Sequence, residues 1–154
     1  MRIVPLTLLA ASLIGSLAGF GSKIATVPSF LLPSYGEVVG RCQVTDGDTI
    51  RCQDERIRLL GIDASELPGH CRPGRNCAPG NASASAASLE LAMSDHLRIQ
   101  RVGADHYGRT LAIVAGDHGD LSCWQLVHHQ AIYKREWDNG LRIARMCTGP
   151  AFSR

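Results

Sequence analysis

The chain has 154 residues, 45% apolar and 19% charged, a length and balance that give one globular domain and leave no room for a second. Sixteen basic against 14 acidic residues make a net charge of +2, with no polybasic tail. Only Lys23 and Lys134 are lysines. Arginine suits bidentate phosphate contacts, so the basic side chains fit a pocket better than a wide electrostatic footprint.

The first element is a targeting segment. Arg2 precedes an 18-residue stretch, Ile3 to Phe20, that contains no charge. Ser16 and Ala18 set small residues at a signal-peptidase site, so residues 1–18 read as a signal peptide cleaved after Ala18. An uncleaved anchor is the competing reading, because about 17 to 25 apolar residues can span a bilayer. Pro5, with the glycines and serines of the stretch, favours cleavage. Either way the remainder lies outside the cytoplasm, as a periplasmic or secreted protein or as a membrane-anchored one facing outward. Residues 19–36 carry prolines and short aperiodic apolar runs and read as a linker. Residues 37–154 form the domain.

Within the domain the pattern predicts a hairpin of Val38 to Val44 and Thr49 to Arg51, turning at Gly47. Cys42 and Cys52 are equidistant from that turn. They therefore face each other, and Cys42, Val44, Ile50 and Cys52 share one face. Arg56 to Ile62 is a third strand. Pro68 to Pro79 reads as an exposed loop, followed by an Ala- and Leu-rich helix over Ala82 to Ser94 with Ser83 or Ser85 as its cap. Leu97 to Val102 and Thr110 to Ala115 are strands, Leu121 to His129 a helix, and Gly140 to Met146 a short third helix. Five strands with a helix after the third make an α+β fold, mainly β, compatible with a five-stranded barrel of the oligonucleotide-binding (OB-fold) type carrying two or three helices.

All six cysteines follow the signal: Cys42, Cys52, Cys71, Cys77, Cys123 and Cys147. An even number in an exported chain predicts three disulfides. The hairpin pairs Cys42 with Cys52, Cys71 and Cys77 close a small loop, and Cys123 is left with Cys147. Zinc is disfavoured because no C-x2-C pair is present.

Three short segments carry chemistry. Asp46-Gly47-Asp48-Thr49 is a tight turn presenting carboxylates. The run from Ile57 to Glu66 ends a strand and delivers Asp63 and Glu66 side by side, with Arg58 off the face of Ile57 and Leu59. Asp105-His106-Tyr107-Gly108-Arg109 is a turn between strands that ends on a guanidinium. Each alone has an ordinary reading as a turn or a solvated surface. Together they supply hard oxygen ligands for a divalent ion, a carboxylate to manage a water proton, and cations for developing phosphorane charge. Oxygen ligands favour calcium over a softer metal.

The order D-G-D-T, R-L-L-G-I-D-x-x-E and D-x-Y-G-R resembles the thermonuclease (staphylococcal nuclease-like) family over Glu37 to Gln130. The resemblance implies a calcium-dependent nuclease acting on DNA or RNA. Asp48, Asp63 and the main-chain carbonyl of Ala64 would hold Ca2+, and Glu66 would orient or deprotonate water. Arg58 and Arg109 would bind and stabilise the phosphate, and Tyr107 and His106 would contact the substrate. The expected partner is a single-stranded nucleic acid, with no stable protein partner and a monomeric state. Ala64 and Ser65 depart from the Thr and Pro of the family's type member, and His106 replaces its lysine, which weakens phosphate binding near neutral pH unless the imidazole is protonated. Tyr133 and Trp137 are both candidates for a base-stacking platform. A binding module that keeps the barrel without catalysis is the alternative. It would be expected to have lost one of Asp48, Asp63, Glu66, Arg58 or Arg109, and all are present.

Overall fold

The structure, a computed structural model, describes Gly36 and residues 38–147. The segment read as a signal peptide, the linker apart from Gly36, and residues 148–154 lie outside the described residues. Among the described residues the fold is α+β and mainly strands, with three α-helices and a mixed sheet.

The expected hairpin forms, and its two strands are β2 (Cys42–Asp46) and β3 (Thr49–Cys52). They pair antiparallel in the register Cys42↔Cys52 and Val44↔Ile50, so the pleat carries Ile50 and Cys52 into the core while Gln43 and Arg51 stay exposed. β4 (Glu55–Leu59) adds antiparallel to β3, and β7 (Thr110–Gly116) adds parallel to β4, which makes the sheet mixed. β6 (Leu97–Ala104) pairs with β7 on its other side, and the two-residue strand β1 (Val38–Val39) pairs with β6. β8 (Gly119–Asp120) extends β7 at its far end. The strand order β1-β6-β7-β4-β3-β2 is thus longer than the five strands expected. β1 separates from β2 at Gly40 rather than continuing as one strand.

The third expected strand, Arg56 to Ile62, is broken. The Leu60 amide still donates to Ala112 on β7 at 3.0 Å, and the chain leaves the large sheet at Gly61, which takes φ 72°, where an added Cβ would lie 3.1 Å from Ile143 and 3.2 Å from Asp138. Only glycine combines that backbone with that crowding. The chain is redirected into β5 (Ile62–Ala64), which pairs with β9 (Ala131–Tyr133), a strand the sequence pattern did not reveal. That kink carries Asp63 away from the large sheet.

Helix α1 (Ala82–Ala92) buries Ala82, Ser85, Leu89 and Ala92, spaced three and four apart on one face. Its cap is Asn81, whose side chain accepts from the Ala84 amide at 3.0 Å, and neither Ser83 nor Ser85 takes that place. Ser85 is buried instead and donates to the Gln130 carbonyl at 2.7 Å. Helix α2 (Leu121–Val127) is capped by Asp120, and α3 (Arg142–Met146) follows two 3-10 turns at Arg135–Trp137 and Asn139–Leu141. The core gathers Ile50, Ile57, Leu59, Leu89, Leu97, Ile99, Ile113, Leu121 and Ile143 between sheet and helices.

Three disulfides form with the expected pairing, Cys42–Cys52, Cys71–Cys77 and Cys123–Cys147, with Cα separations of 4.1, 6.1 and 5.2 Å. They fit an oxidising, exported environment. No helix among the described residues is long and apolar enough to cross a membrane.

Candidate active site

The Asp46–Asp48 turn is held from three sides. Asp46 accepts from the Asp48 amide at 3.2 Å and so shapes the turn. The Gln125 side chain on α2 donates to the Gly47 carbonyl at 2.7 Å and the Ser85 carbonyl at 2.9 Å. A Cβ on Gly47 would collide with the Ser85 hydroxyl and approach Ala64 Cβ to 2.8 Å, so glycine is what allows α1 to seat on this turn.

That seating aims Asp48 inward, where it is 4% exposed. Its Oδ1 accepts from Arg58 at 2.8 Å and from the Thr49 hydroxyl at 3.0 Å, and its Oδ2 accepts from the Ala64 amide at 2.9 Å. Burial pushes the Asp48 carboxyl up to about 7, against the opposing pull of Arg58. Register explains the pairing, because Thr49 lies opposite Arg58 in the β3–β4 ladder and Asp48 is one residue away.

Arg58 is buried and gathers the site. Besides Asp48 it reaches Asp63 Oδ1 at 3.3 Å and the Ile62 carbonyl at 3.4 Å. Asp63 is fully buried, and its Oδ2 has no hydrogen-bond partner. An enclosed carboxylate oxygen with nothing to accept from is costly, and a cation would remove the cost. Two buried carboxylates, Asp48 and Asp63, are hard oxygen donors of the kind calcium takes, and Ala64 is placed beside them by its amide, which donates to Asp48. By contrast, Asp120, Cys123 and Cys147 come together elsewhere. Their two sulfurs are joined in a disulfide and are not available as thiolate ligands.

Arg58, Glu66, Arg75, Tyr107, Arg109 and Trp137, among others, line a cleft of about 900 Å³, whose lining does not include Asp48, Asp63 or Ala64. Glu66 is half-buried at its edge. Arg109 comes from the turn between β6 and β7, where Asp105 accepts from the Tyr107 and Arg109 amides, both at 2.9 Å, and from Arg109 Nε at 2.7 Å. Burial opposes the charge on Asp105, yet these donors hold its carboxyl below the usual range. Asp105 thereby orients Arg109. Tyr107 is exposed in the same turn, with the Arg109 guanidinium 5.5 Å from its ring centre and the His106 ring 3.6 Å away.

Between the two stacking candidates the structure separates roles. Trp137 lines the cleft, with the Arg58 guanidinium 5.0 Å from its ring centre. Tyr133 packs against the core and donates its hydroxyl to Asp138 at 2.8 Å. His128 and His129 are exposed just past the end of α2. Sequence reasoning missed Arg75 and Arg72. Both sit in the loop closed by Cys71 and Cys77, and two arginines inside a disulfide-closed loop was the available signal. Arg75 donates to Asp63 at 2.5 Å and to Glu66 at 2.6 Å. Burial would lower its pKa, but the two carboxylates prevail and hold the guanidinium above its ordinary value.

No protein-family model matches the chain. Over 105 residues, 66% of this chain and 54% of the relative, it is 33% identical to the succinoglycan biosynthesis protein ExoI of Rhizobium meliloti (strain 1021). Over 78 residues, 47% of this chain and 45% of the relative, it is 37% identical to the thermonuclease of Staphylococcus intermedius. The chain is similar, in part, to a thermonuclease. This chain spans about half the length of the curated relatives it matches. That partial similarity supports a distant nuclease-like relationship.

Proposed function

We propose that this chain is a calcium-dependent nuclease that hydrolyses phosphodiester bonds of single-stranded DNA or RNA as an exported monomer. The observation that carries the reading is the meeting of Asp48 and Asp63 on the Arg58 guanidinium, which lines the same cleft as Glu66 and Arg109. Asp48, Asp63 and the Ala64 carbonyl would hold the ion, which would supply Lewis-acid polarisation of the phosphate and offset its charge. Glu66 orients the attacking water and takes up its proton. Arg58 and Arg109 face the charge that develops on the phosphate, and loss of either is expected to cost about 10²-fold to 10³-fold in rate. Tyr107 and His106 contact the phosphate or sugar, and Trp137 offers a base a stacking face.

The barrel reading of the fold belongs with this proposal. It is supported by the succession β2, β3, β4, α1, β6, β7, in which β7 returns to pair with β4. Export rests on the three disulfides and on the uncharged N-terminal stretch, whether cleaved or kept as an anchor. The rhizobial relative is named for succinoglycan biosynthesis, and the carboxylate and arginine set gives no separate argument for a polysaccharide substrate.

The second reading is a binding module without catalysis. It is favoured by the arginines stacked on Tyr107 and Trp137, which grip nucleic acid whether or not a bond is cut. Purified protein incubated with labelled single-stranded DNA and RNA, with calcium, with chelator, and as Glu66→Ala, separates the two. The nuclease reading expects cleavage that chelator stops and Glu66→Ala greatly reduces. Substrate that is bound but stays intact in every condition leaves the module and sinks the nuclease.

A further inference from the structure

The Cys71–Cys77 loop spans the cleft. Within it, the Arg75 amide donates to the Arg72 carbonyl at 3.0 Å across Pro73 and Gly74, and Gly74 takes φ 81°. This Pro-Gly turn, inside a disulfide ring with a sequence separation of 6, fixes the two arginines at its two ends. Arg75 points to one wall and forks between Asp63 and Glu66 at 2.5 and 2.6 Å. Arg72 reaches the other wall, donating to the Tyr107 hydroxyl and lying 4.5 Å from its ring centre.

A cation bridging two carboxylates relieves their repulsion, the same service a divalent ion performs. Two guanidinium groups share Asp63, and they differ in freedom. The Arg58 side chain is 9% exposed and engaged on both sides by Asp48 and Asp63, whereas the Arg75 side chain is 31% exposed and rides on a surface loop. Arg75 alone of the two can withdraw into water without leaving a buried carboxylate unpaired, because Arg58 still reaches Asp63 at 3.3 Å. Resting on the nuclease reading, we propose that the Cys71–Cys77 loop is a built-in strap: Arg75 serves as the resident counter-cation of Asp63 and Glu66 and competes with the divalent ion for Asp63. Ion binding then requires Arg75 to leave. Because the turn couples the arginines, its departure also draws Arg72 from Tyr107 and uncovers the cleft.

The test is calcium binding by titration calorimetry, without substrate, on the full chain. Arg75→Ala is expected to bind calcium about tenfold more tightly than the parent, and Arg75→Gln to behave alike should the alanine variant fold poorly. Cys71→Ser with Cys77→Ser, which frees the strap and keeps Arg75, is expected to tighten binding by a smaller factor. Unchanged or weaker calcium affinity in the Arg75 variants overturns the strap. If the parent still cuts DNA in that case, the nuclease reading survives without it. Tightened affinity in a protein that cuts no nucleic acid keeps the strap and removes the nuclease. Absence of calcium binding in parent and variants alike overturns the strap.

Discussion

Arg58 is the residue on which the site depends, because one buried guanidinium satisfies Asp48, Asp63 and a backbone carbonyl together. Removing one member of a buried pair leaves an uncompensated charge, so Arg58→Ala is expected to lower unfolding free energy by about 3 to 5 kcal/mol. Arg58→Lys, a point charge without the fork, should recover only part of it. Urea denaturation at neutral pH reads both, and a loss under 1 kcal/mol in Arg58→Ala would contradict the buried pairing. Gly47 is a second case at this scale. Its hydrogen is all the space beside Ser85 and Ala64 allows, and Gly47→Ala is expected to cost about 1 to 3 kcal/mol through overpacking. The same change should impair calcium binding, since Asp48 follows in the turn. Ordinary stability with intact ion binding would show the α1 contact to be slack.

Among the elements, β4 is tied to its neighbours by polar contacts as well as by its ladder. Glu55 accepts from Arg101 on β6 at 2.8 and 2.6 Å and from the Thr110 hydroxyl on β7 at 2.7 Å. The Arg101 hydrogen bonds chiefly, with Thr110, lower its pKa from the usual 4.5 to about 2. A depressed folded-state pKa means the unfolded chain binds the proton more readily, so this contribution is complete above about pH 4.5 and fades as pH falls toward 2. Glu55→Gln is therefore expected to be less stable than the parent near pH 7 and to show a flatter acid limb, so that the two converge as pH falls toward 2. Urea midpoints across pH 2 to 7 that fall equally in parent and variant would remove the assignment. Helix α3 shows the same economy. Asp138 accepts from the Ile143 and Ala144 amides, both at 3.0 Å, and from Tyr133, so one carboxylate starts the helix and fixes the segment carrying Trp137. Asp138→Ala is expected to cost about 1 to 2 kcal/mol and to loosen the Trp137 wall, visible as a change in tryptophan fluorescence.

For the molecule as a whole, the disulfides divide the work. Cys123–Cys147 ties α2 to the end of α3 across a sequence separation of 24, and its removal as Cys123→Ala with Cys147→Ala is expected to lower stability by roughly 3 to 4 kcal/mol in the chain-entropy account. Thermal unfolding with a mildly reducing control checks the figure, and a melting temperature unmoved by the double substitution would show that packing alone holds α3. Cys42–Cys52 closes a hairpin that the ladder already defines. Cys71–Cys77 orders a loop with little core contact, and its role lies in where it holds Arg72 and Arg75.

Local rules were enough for much of this protein. The symmetric spacing of Cys42 and Cys52 about Gly47 read out the hairpin register, because strand pairing has a period of two and the turn sets its phase. The helix over Ala82 to Ala92 and the strands flanking Asp105 to Arg109 were legible for similar reasons, and Asp48, Asp63, Glu66, Arg58 and Arg109 were singled out as a set. Tertiary structure decided the rest. It broke the third strand at Gly61, paired β5 with an unseen β9, moved the α1 cap to Asn81, and chose Trp137 over Tyr133 for the cleft wall. It also brought Arg75 onto Asp63 and Glu66. Each of these turns on which distant segment packs against which, and a sequence with short-range periodicity alone leaves many such partners equivalent until burial selects one.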